Sequence, residues 1–411
     1  MIRYRMLGAC LALALAGSAG AADDERAQVQ DYPIAWPEPS GKAGSGDRPR
    51  HHGHGVHGTA GGHGGASGGA PPHGGSTHEI AFDPHGSELW ISGQNYDALA
   101  RVETRGRLAG RVRAFLPLPQ GSGPHGLGFD RDGHLWVTLE YLGRVEKRDA
   151  RSGRVLAAYD VALDCRSCPT PINSHPHGLG LGADGRTVWF TGKATGTIGR
   201  IAGGKVKTFA LATPGSTPIY IHAGPDGSMW VTELTGNKIA RVRPDGSSTE
   251  FAIPTPGSRP IAIVPGPDGA MWFSEEAGSK IGRIDLPCLA AEEKKAGGGD
   301  TGACIAEYEI PRDAPNRILA GLAFDDAGDL WVQQYVDQNS PVPGGADFIV
   351  RIAFGLARGE APPPPSKLAA AAFSRFPLPT RGSVMHRIIQ GPDGRMWFTE
   401  MGANKVGVIG D

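Results

Sequence analysis

Long apolar runs are missing from this 411-residue chain. The longest, from Met6 to Ala16, falls well short of the ~20 residues that a membrane span requires, so no spanning helix is expected. An excess of one charge is missing too. Lys and Arg number 41 against 42 Asp and Glu, without a basic patch, which excludes the electrostatic footprint of a nucleic-acid binder. Cysteines number only five, and helical periodicity is almost absent. What the chain has in quantity is glycine and proline, 63 and 34 residues, the composition of an all-β protein rich in turns.

Arg3 and Arg5 precede the apolar run, and small residues ending in Ala19-Gly20-Ala21 follow it. That order describes a secretory signal peptide over residues 1–21. Its removal takes away two positive charges and no negative ones, moving the formal net charge from −1 to −3. Cys10 stands before most of the apolar run, the wrong place for a lipid-attachment site. The mature chain is expected to be soluble, monomeric, and periplasmic or secreted. Its remaining cysteines, Cys165 with Cys168 and Cys288 with Cys304, read as two local disulfides. A redox C-x-x-C would need a thioredoxin-like βαβ setting, for which there is no pattern.

All the tryptophans but Trp36 recur in one local pattern: Trp90, Trp136, Trp189, Trp230, Trp272, Trp331 and Trp397. The clearest copies begin at Pro260 (PIAIVPGPDGAMWFSEEAGSKIGRI) and at Val384 (VMHRIIQGPDGRMWFTEMGANKVGVI). Each holds an apolar strand, a D-G turn, a Trp-centred strand, a second turn and a third strand. A fourth strand such as TEFAIPTP (249–256) precedes most copies. Four short strands every ~40–45 residues is the signature of a propeller blade. The last copy stops after its third strand, while DYPIAWPEP (31–39) matches a fourth strand ahead of the first copy. The sequence therefore predicts an all-β, seven-bladed β-propeller over 29–411, closed by an N-terminal strand that completes the last blade. Residues 37–76, Gly-rich and containing HHGHGVHG, read as a flexible insertion.

Naming the strands A to D outward from the channel, the D-G turn makes A and B an antiparallel hairpin. The start of A, the end of B and the D-to-A connections then share one rim. Around the ring the start of A holds His78, His125, His177, Ile219, Ile261, Ala320 and His386. Because the ring closes, the four histidines fall on consecutive blades: seven, one, two and three. Three residues after Trp stand Glu233, Glu275 and Glu400, with Gln334 in blade six; Glu140 and Glu276 follow one residue later. A lone histidine at a strand start usually caps a turn or meets solvent, and a carboxylate at a strand end is commonly solvated. Three blades nevertheless place apolar residues where the other four have histidine, so blade architecture does not require it. For HHGHGVHG, an adventitious or buffering metal-binding segment is the simpler reading.

The repeat, above all PHGLGFDRDGHLWVTLE from Pro124 and MWFTEMGANKVGVI from Met396, resembles the virginiamycin B lyase family of streptogramin lyases from about His78 to Ile409. The resemblance implies a seven-bladed propeller that opens the ester ring of type B streptogramins by elimination. It also implies a divalent metal, typically magnesium held by Glu carboxylates, and a His base at the rim. A hard cation prefers oxygen ligands and polarises an ester carbonyl; an imidazole with near-neutral pKa removes the α proton. Carried over, this makes His386, His125, His177 and His78 candidate catalytic residues, and Glu400, Glu233 and Glu275 candidate metal ligands. The family's element is Glu-Pro-His-Gly, whereas Gly123 and His175 stand two residues before His125 and His177. A histidine-rich rim suits Zn, Fe or Cu as well. The expectation is therefore a metal-dependent enzyme acting on a cyclic ester or lactone. The alternatives are a periplasmic lactonase, a four-His metal oxygenase, or a non-catalytic propeller binding metal, glycan or another protein.

Overall fold

A computed structural model describes residues 28–37, 76–295, 299–341 and 344–410. The signal-peptide reading and nearly all of the His-rich insertion lie outside these residues. The described chain forms seven four-stranded antiparallel sheets. Six are built from consecutive strands, and the seventh joins Gln28–Pro33 to the outer edge of Lys405–Gly410. The A strands are Thr77–Phe82, Pro124–Phe129, Pro176–Leu181, Pro218–Ala223, Pro260–Pro265, Arg317–Phe324 and Met385–Gln390. Each packs against the next, and the last against the first, around a central channel. The seven-bladed, N-terminally closed reading of the sequence is borne out. No helix among the described residues is long and apolar enough to cross a membrane.

Each recurring residue has a steric or polar reason. The Trp of strand B is buried between neighbouring blades, and in five blades its indole N–H donates to the turn aspartate, as in Trp272 to Asp268 (3.1 Å) and Trp136 to Asp130 (2.9 Å). Where Phe follows Trp, its ring lies over the facing residue of strand C. There a Cβ would sit 1.9–2.2 Å from the ring, so Gly199, Gly282 and Gly407 are obligatory opposite Phe190, Phe273 and Phe398. Blades one and four, with Ile91 and Val231 in place of Phe, carry alanine there (Ala100, Ala240). The glycine of this third strand is thus a packing partner of the strand-B ring.

Closure is covalently distant but locally tight. Lys405 Nζ lies 2.9 Å from an Asp31 carboxylate oxygen, Trp36 stacks on Tyr96 in blade one, and its indole donates to Thr77 Oγ1 at 3.0 Å. Both expected disulfides are present. The Cys165–Cys168 loop connects D to A on the rim where the A strands begin, and the Cys288–Cys304 insertion connects C to D on the other. The latter holds the one α-helix among the described residues, Leu286–Glu292, a feature too short for periodicity to reveal. Asp285 caps it by accepting from the Cys288 backbone N–H at 2.9 Å.

Candidate active site at the channel mouth

Near the start of every A strand the pairing with strand B slips by one residue: a β-bulge between Thr77 and Ile80, Pro124 and Leu127, Pro176 and Leu179, and so on through blade seven. Bulges redirect side chains and leave backbone groups without ladder partners. The second residue of the A strand in six blades, and Ala320 at the same register in blade six, falls inside this bulge. That position holds His78, His125, His177, Ile219, Ile261, Ala320 and His386.

The unpaired backbone groups are satisfied by the residue two after Trp, a signal present in the sequence and not read there. Its side chain accepts from the N–H of the residue after the bulge position in its own blade. Examples are Glu79 N–H to Ser92 Oγ (3.0 Å), Gly178 N–H to Thr191 Oγ1 (2.8 Å) and Arg387 N–H to Thr399 Oγ1 (3.0 Å). Several of these hydroxyls also donate to the bulge-position carbonyl of the next blade: Thr138 to His177 (2.9 Å), Thr232 to Ile261 (2.8 Å) and Thr399 to His78 (2.8 Å). One side chain per blade, a hydroxyl in six and the Gln333 amide in blade six, thus fixes the backbone that carries the histidines.

The four imidazoles meet. Ring centroids lie 4.8 Å apart for His78 and His125, 4.9 Å for His78 and His386, and 3.5 Å for His125 and His177. All four are buried, at most 7% exposed, so they line the channel rather than project from the rim. His177 Nδ1 lies 3.2 Å from the Ile219 carbonyl, which only accepts, so Nδ1 carries a proton and the neutral tautomer that fits has its lone pair on Nε2. His386 Nε2 lies 3.0 Å from Glu79 Oε1. Neither ring nitrogen of His125 has a hydrogen-bond partner, although the residue is 1% exposed. Burial, then its imidazole neighbours, hold His125 well below the usual histidine range, so it is neutral at pH 7.

Two carboxylates flank the cluster, neither of them among the three glutamates that the strand-end pattern selected. Burial works against the charge of Glu79, yet Arg387 and His386 hold its pKa below the ordinary value. Glu140 is held down likewise by Lys193, 2.6 Å away, and by His175 at 3.6 Å, and it accepts from Gln94 at 2.7 Å. His175, two residues before His177, adopts a left-handed φ of 50°, and Gly123, Thr217, Arg259 and Val384 do the same at the matching place in their blades.

Glu233, Glu275 and Glu400 stand elsewhere, one in each of blades four, five and seven. Each faces a lysine of strand C and a carboxylate of strand D in its own blade: Lys238 and Glu250, Lys280 and Glu307, Lys405 and Asp31. Burial pushes Glu233 up to about 7 and Glu275 up to about 8, the latter raised further by Glu307; burial and then Asp31 push Glu400 up to about 7. The structure does not bring them into the histidine cluster; among the described residues the carboxylates beside it are Glu79 and Glu140, already engaged by Arg387 and Lys193. A magnesium ion held by glutamates therefore has no assembled oxygen site among the described residues. Nitrogen donors are assembled. One ligand atom each from His78, His125 and His386 lie within 4.8 Å of one another, as do those of His125, Glu140 and His177.

Residues 145–335 match the Virginiamycin B lyase family. That span includes His177 and leaves out His78, His125 and His386. A virginiamycin B lyase from Nocardia farcinica is 40% identical over 76 residues, 18% of this chain, and the match spans only 26% of that protein. Virginiamycin B lyase from Staphylococcus aureus superposes with a TM-score of 0.61 at 26% identity, over 81% of this chain and 94% of that one. A streptogramin B lyase structure gives a TM-score of 0.65 over 93% and 97% of the two chains, and at 21% identity it speaks for the fold alone. The same holds for a catalytically inactive His-to-Ala variant of the S. aureus enzyme with quinupristin, with a TM-score of 0.64 at 23% identity over 93% and 99%. The ring of seven blades and these likenesses agree: the chain is a seven-bladed β-propeller similar to the virginiamycin B lyases.

Proposed function

We propose that the channel mouth opens a cyclic ester by elimination, as a virginiamycin B lyase does, with a neutral imidazole as the base. The observation that carries the reading is the row of four histidines on consecutive blades, flanked by ionised Glu79 and Glu140. His177 is the residue best prepared for proton removal. It stands in a Pro-His-Gly copy inside the family-matched span, and the Ile219 carbonyl fixes its tautomer so that Nε2 accepts. In the step, Nε2 takes the proton from the carbon next to the one bearing the ester oxygen. The C–H electrons form the alkene, the C–O bond breaks, and the carboxylate leaves. No water is consumed. The two disulfides support an oxidising compartment, so we place the chain in the periplasm or outside the cell. A divalent metal belongs to the reading through the family, although the residues present do not fit magnesium on glutamates.

The test is incubation with quinupristin, with and without EDTA, followed by mass spectrometry. A linear product of unchanged mass, lost in His177→Ala, is expected. A product heavier by one water would make the protein a lactonase, and an unaltered substrate would remove the streptogramin reading. The near-complete burial of the four imidazoles favours a second reading, a propeller that binds an ion without turnover. A metal-loaded protein inert towards streptogramins and simple lactones is its signature.

A further inference from the structure

We propose that His78, His125 and His386 form a nitrogen-donor site for a borderline divalent transition-metal ion, of the zinc, cobalt or copper type, with Glu79 as the positioning residue behind His386. The inference concerns the resident ion and stands apart from the ring-opening reading. Either can hold when the other fails.

Three observations carry it. Ligand atoms of the three imidazoles lie within 4.8 Å of one another, contributed by blades seven, one and two, so no single loop has to fold around an ion. Binding at ~2.0–2.1 Å in a tetrahedral array would draw them to ~3.3 Å, a change that ring rotations cover. His125 is 1% exposed with both ring nitrogens lacking hydrogen-bond partners, an arrangement that costs free energy unless a ligand satisfies it. Finally, His386 Nε2 lies 3.0 Å from Glu79, which itself sits 3.4 Å from Arg387 Nε. A ligating histidine characteristically gives its second N–H to a carboxylate, which fixes the ring and raises its basicity.

The bulge backbone holds this geometry before any ion arrives. The His78 carbonyl receives Thr399 Oγ1, and the N–H groups that follow His78 and His386 are held by Ser92 and Thr399. The second donor group, His125 with Glu140 and His177, is the weaker candidate because Lys193 Nζ is 2.6 Å from the Glu140 carboxylate. Imidazole nitrogens favour borderline ions, whereas magnesium demands oxygen ligands and retains its water. The donor set thus departs from the magnesium that the family resemblance implies.

The experiment uses the full chain with His51, His52, His54, His57, His63 and His73 replaced by serine, so that the insertion contributes no binding. After chelation, Zn2+, Co2+ and Mg2+ are titrated separately. One equivalent of Zn2+ or Co2+ is expected, with intense Co2+ d–d absorption and imidazole scattering in X-ray absorption. Magnesium at millimolar concentration should not compete. His125→Ala should abolish stoichiometric binding, and Glu79→Gln should keep the stoichiometry and spectrum while weakening affinity by about 10–100-fold. Ligand identity is read spectroscopically on the intact cluster, so a poorly folding His125→Ala does not decide the outcome. Absence of a tight equivalent, oxygen-only scattering, competition by magnesium, or undiminished binding in a folded His125→Ala would each overturn the assignment.

Discussion

Replacing Glu79 by glutamine isolates the electrostatics behind the histidine cluster. The Glu79 carboxylate lies 3.0 Å from the buried His386 and 3.4 Å from the partly buried Arg387, and the Arg387 guanidinium lies over the Tyr220 ring at 4.1 Å. Glutamine keeps the shape and one acceptor, but its amide turns a donor towards a guanidinium that stays charged at any accessible pH. Stripping one partner from a buried pair costs about 3–5 kcal/mol. The retained acceptor and the partial exposure of Arg387 place Glu79→Gln at or below the lower figure. Arg387→Met removes the other charge, so the double variant should recover part of the loss, with a coupling of about 1.5–3 kcal/mol. The assay is urea denaturation of metal-free protein, which keeps ion binding out of the balance. The pH dependence supplies a second reading. Because the folded pKa of Glu79 is depressed, its contribution is present above the ordinary value of 4.5 and lost as pH falls through the folded value. Wild type should therefore lose more stability on acidification than Glu79→Gln. Single-variant costs adding to within about 0.5 kcal/mol in the double variant would refute the coupling.

Two further outcomes follow from groups outside the cluster. Glu275 is raised to about 8 from 4.5, so the stability tied to its neutral form is complete below 4.5 and lost as pH rises through about 8. Glu275→Gln should match wild type near pH 4.5 and exceed it at pH 9 by about 2–4 kcal/mol, checked by unfolding midpoints across that range. Thr399→Val keeps the shape of strand B and deletes the hydroxyl that joins blade seven to blade one. It leaves the Arg387 N–H and the His78 carbonyl unsatisfied, and should cost about 2–4 kcal/mol in denaturant unfolding; an effect under about 0.5 kcal/mol would show that the hydroxyl does not hold the bulge.

The fold was legible because blade formation repeats one solution seven times. A Trp–Asp hydrogen bond, a D-G turn and an alternating apolar strand need no knowledge of the rest of the chain. Ring closure was legible for the same reason, since a fourth strand without its blade at one end answered a blade without its fourth strand at the other. The histidine positions came from the same alignment, and the bulge does not disturb them because every blade has it. The carboxylates were less accessible. Glu233, Glu275 and Glu400 share a place in the repeat, and repetition alone could not show that their side chains turn outward to a lysine and a strand-D carboxylate. Glu79 and Glu140 occupy places that most blades fill with something else, so the sequence could mark them, Glu79 by its place beside His78 and Glu140 by its place four after Trp, without showing that they flank the histidines. Their neighbours Arg387 and Lys193 belong to adjacent blades, and such pairing across blades is a property of the closed ring rather than of any one copy.

That contrast bears on how this mouth acquires chemistry. The hydroxyl two after Trp holds the bulge-position carbonyl of the next blade whether that position is His177, Ile219 or Ile261, as the bonds of Thr138, Thr191 and Thr232 show. The side chain there is consequently released from any structural duty. Ile219, Ile261 and Ala320 are as well buried as the histidines, so polarity at this place costs desolvation and is not the default. Four imidazoles gathered on one arc, two of them with one nitrogen fixed by a protein acceptor, form a polar half facing an apolar half across the channel. An ion or a reacting ester gains from the first half, and an apolar ring substituent from the second. Reversing one residue on each side, His125→Ile with Ile261→His, preserves composition while breaking the arc. Loss of function with an unchanged fold in that variant would show that adjacency of the histidines, rather than their number, is what the mouth requires.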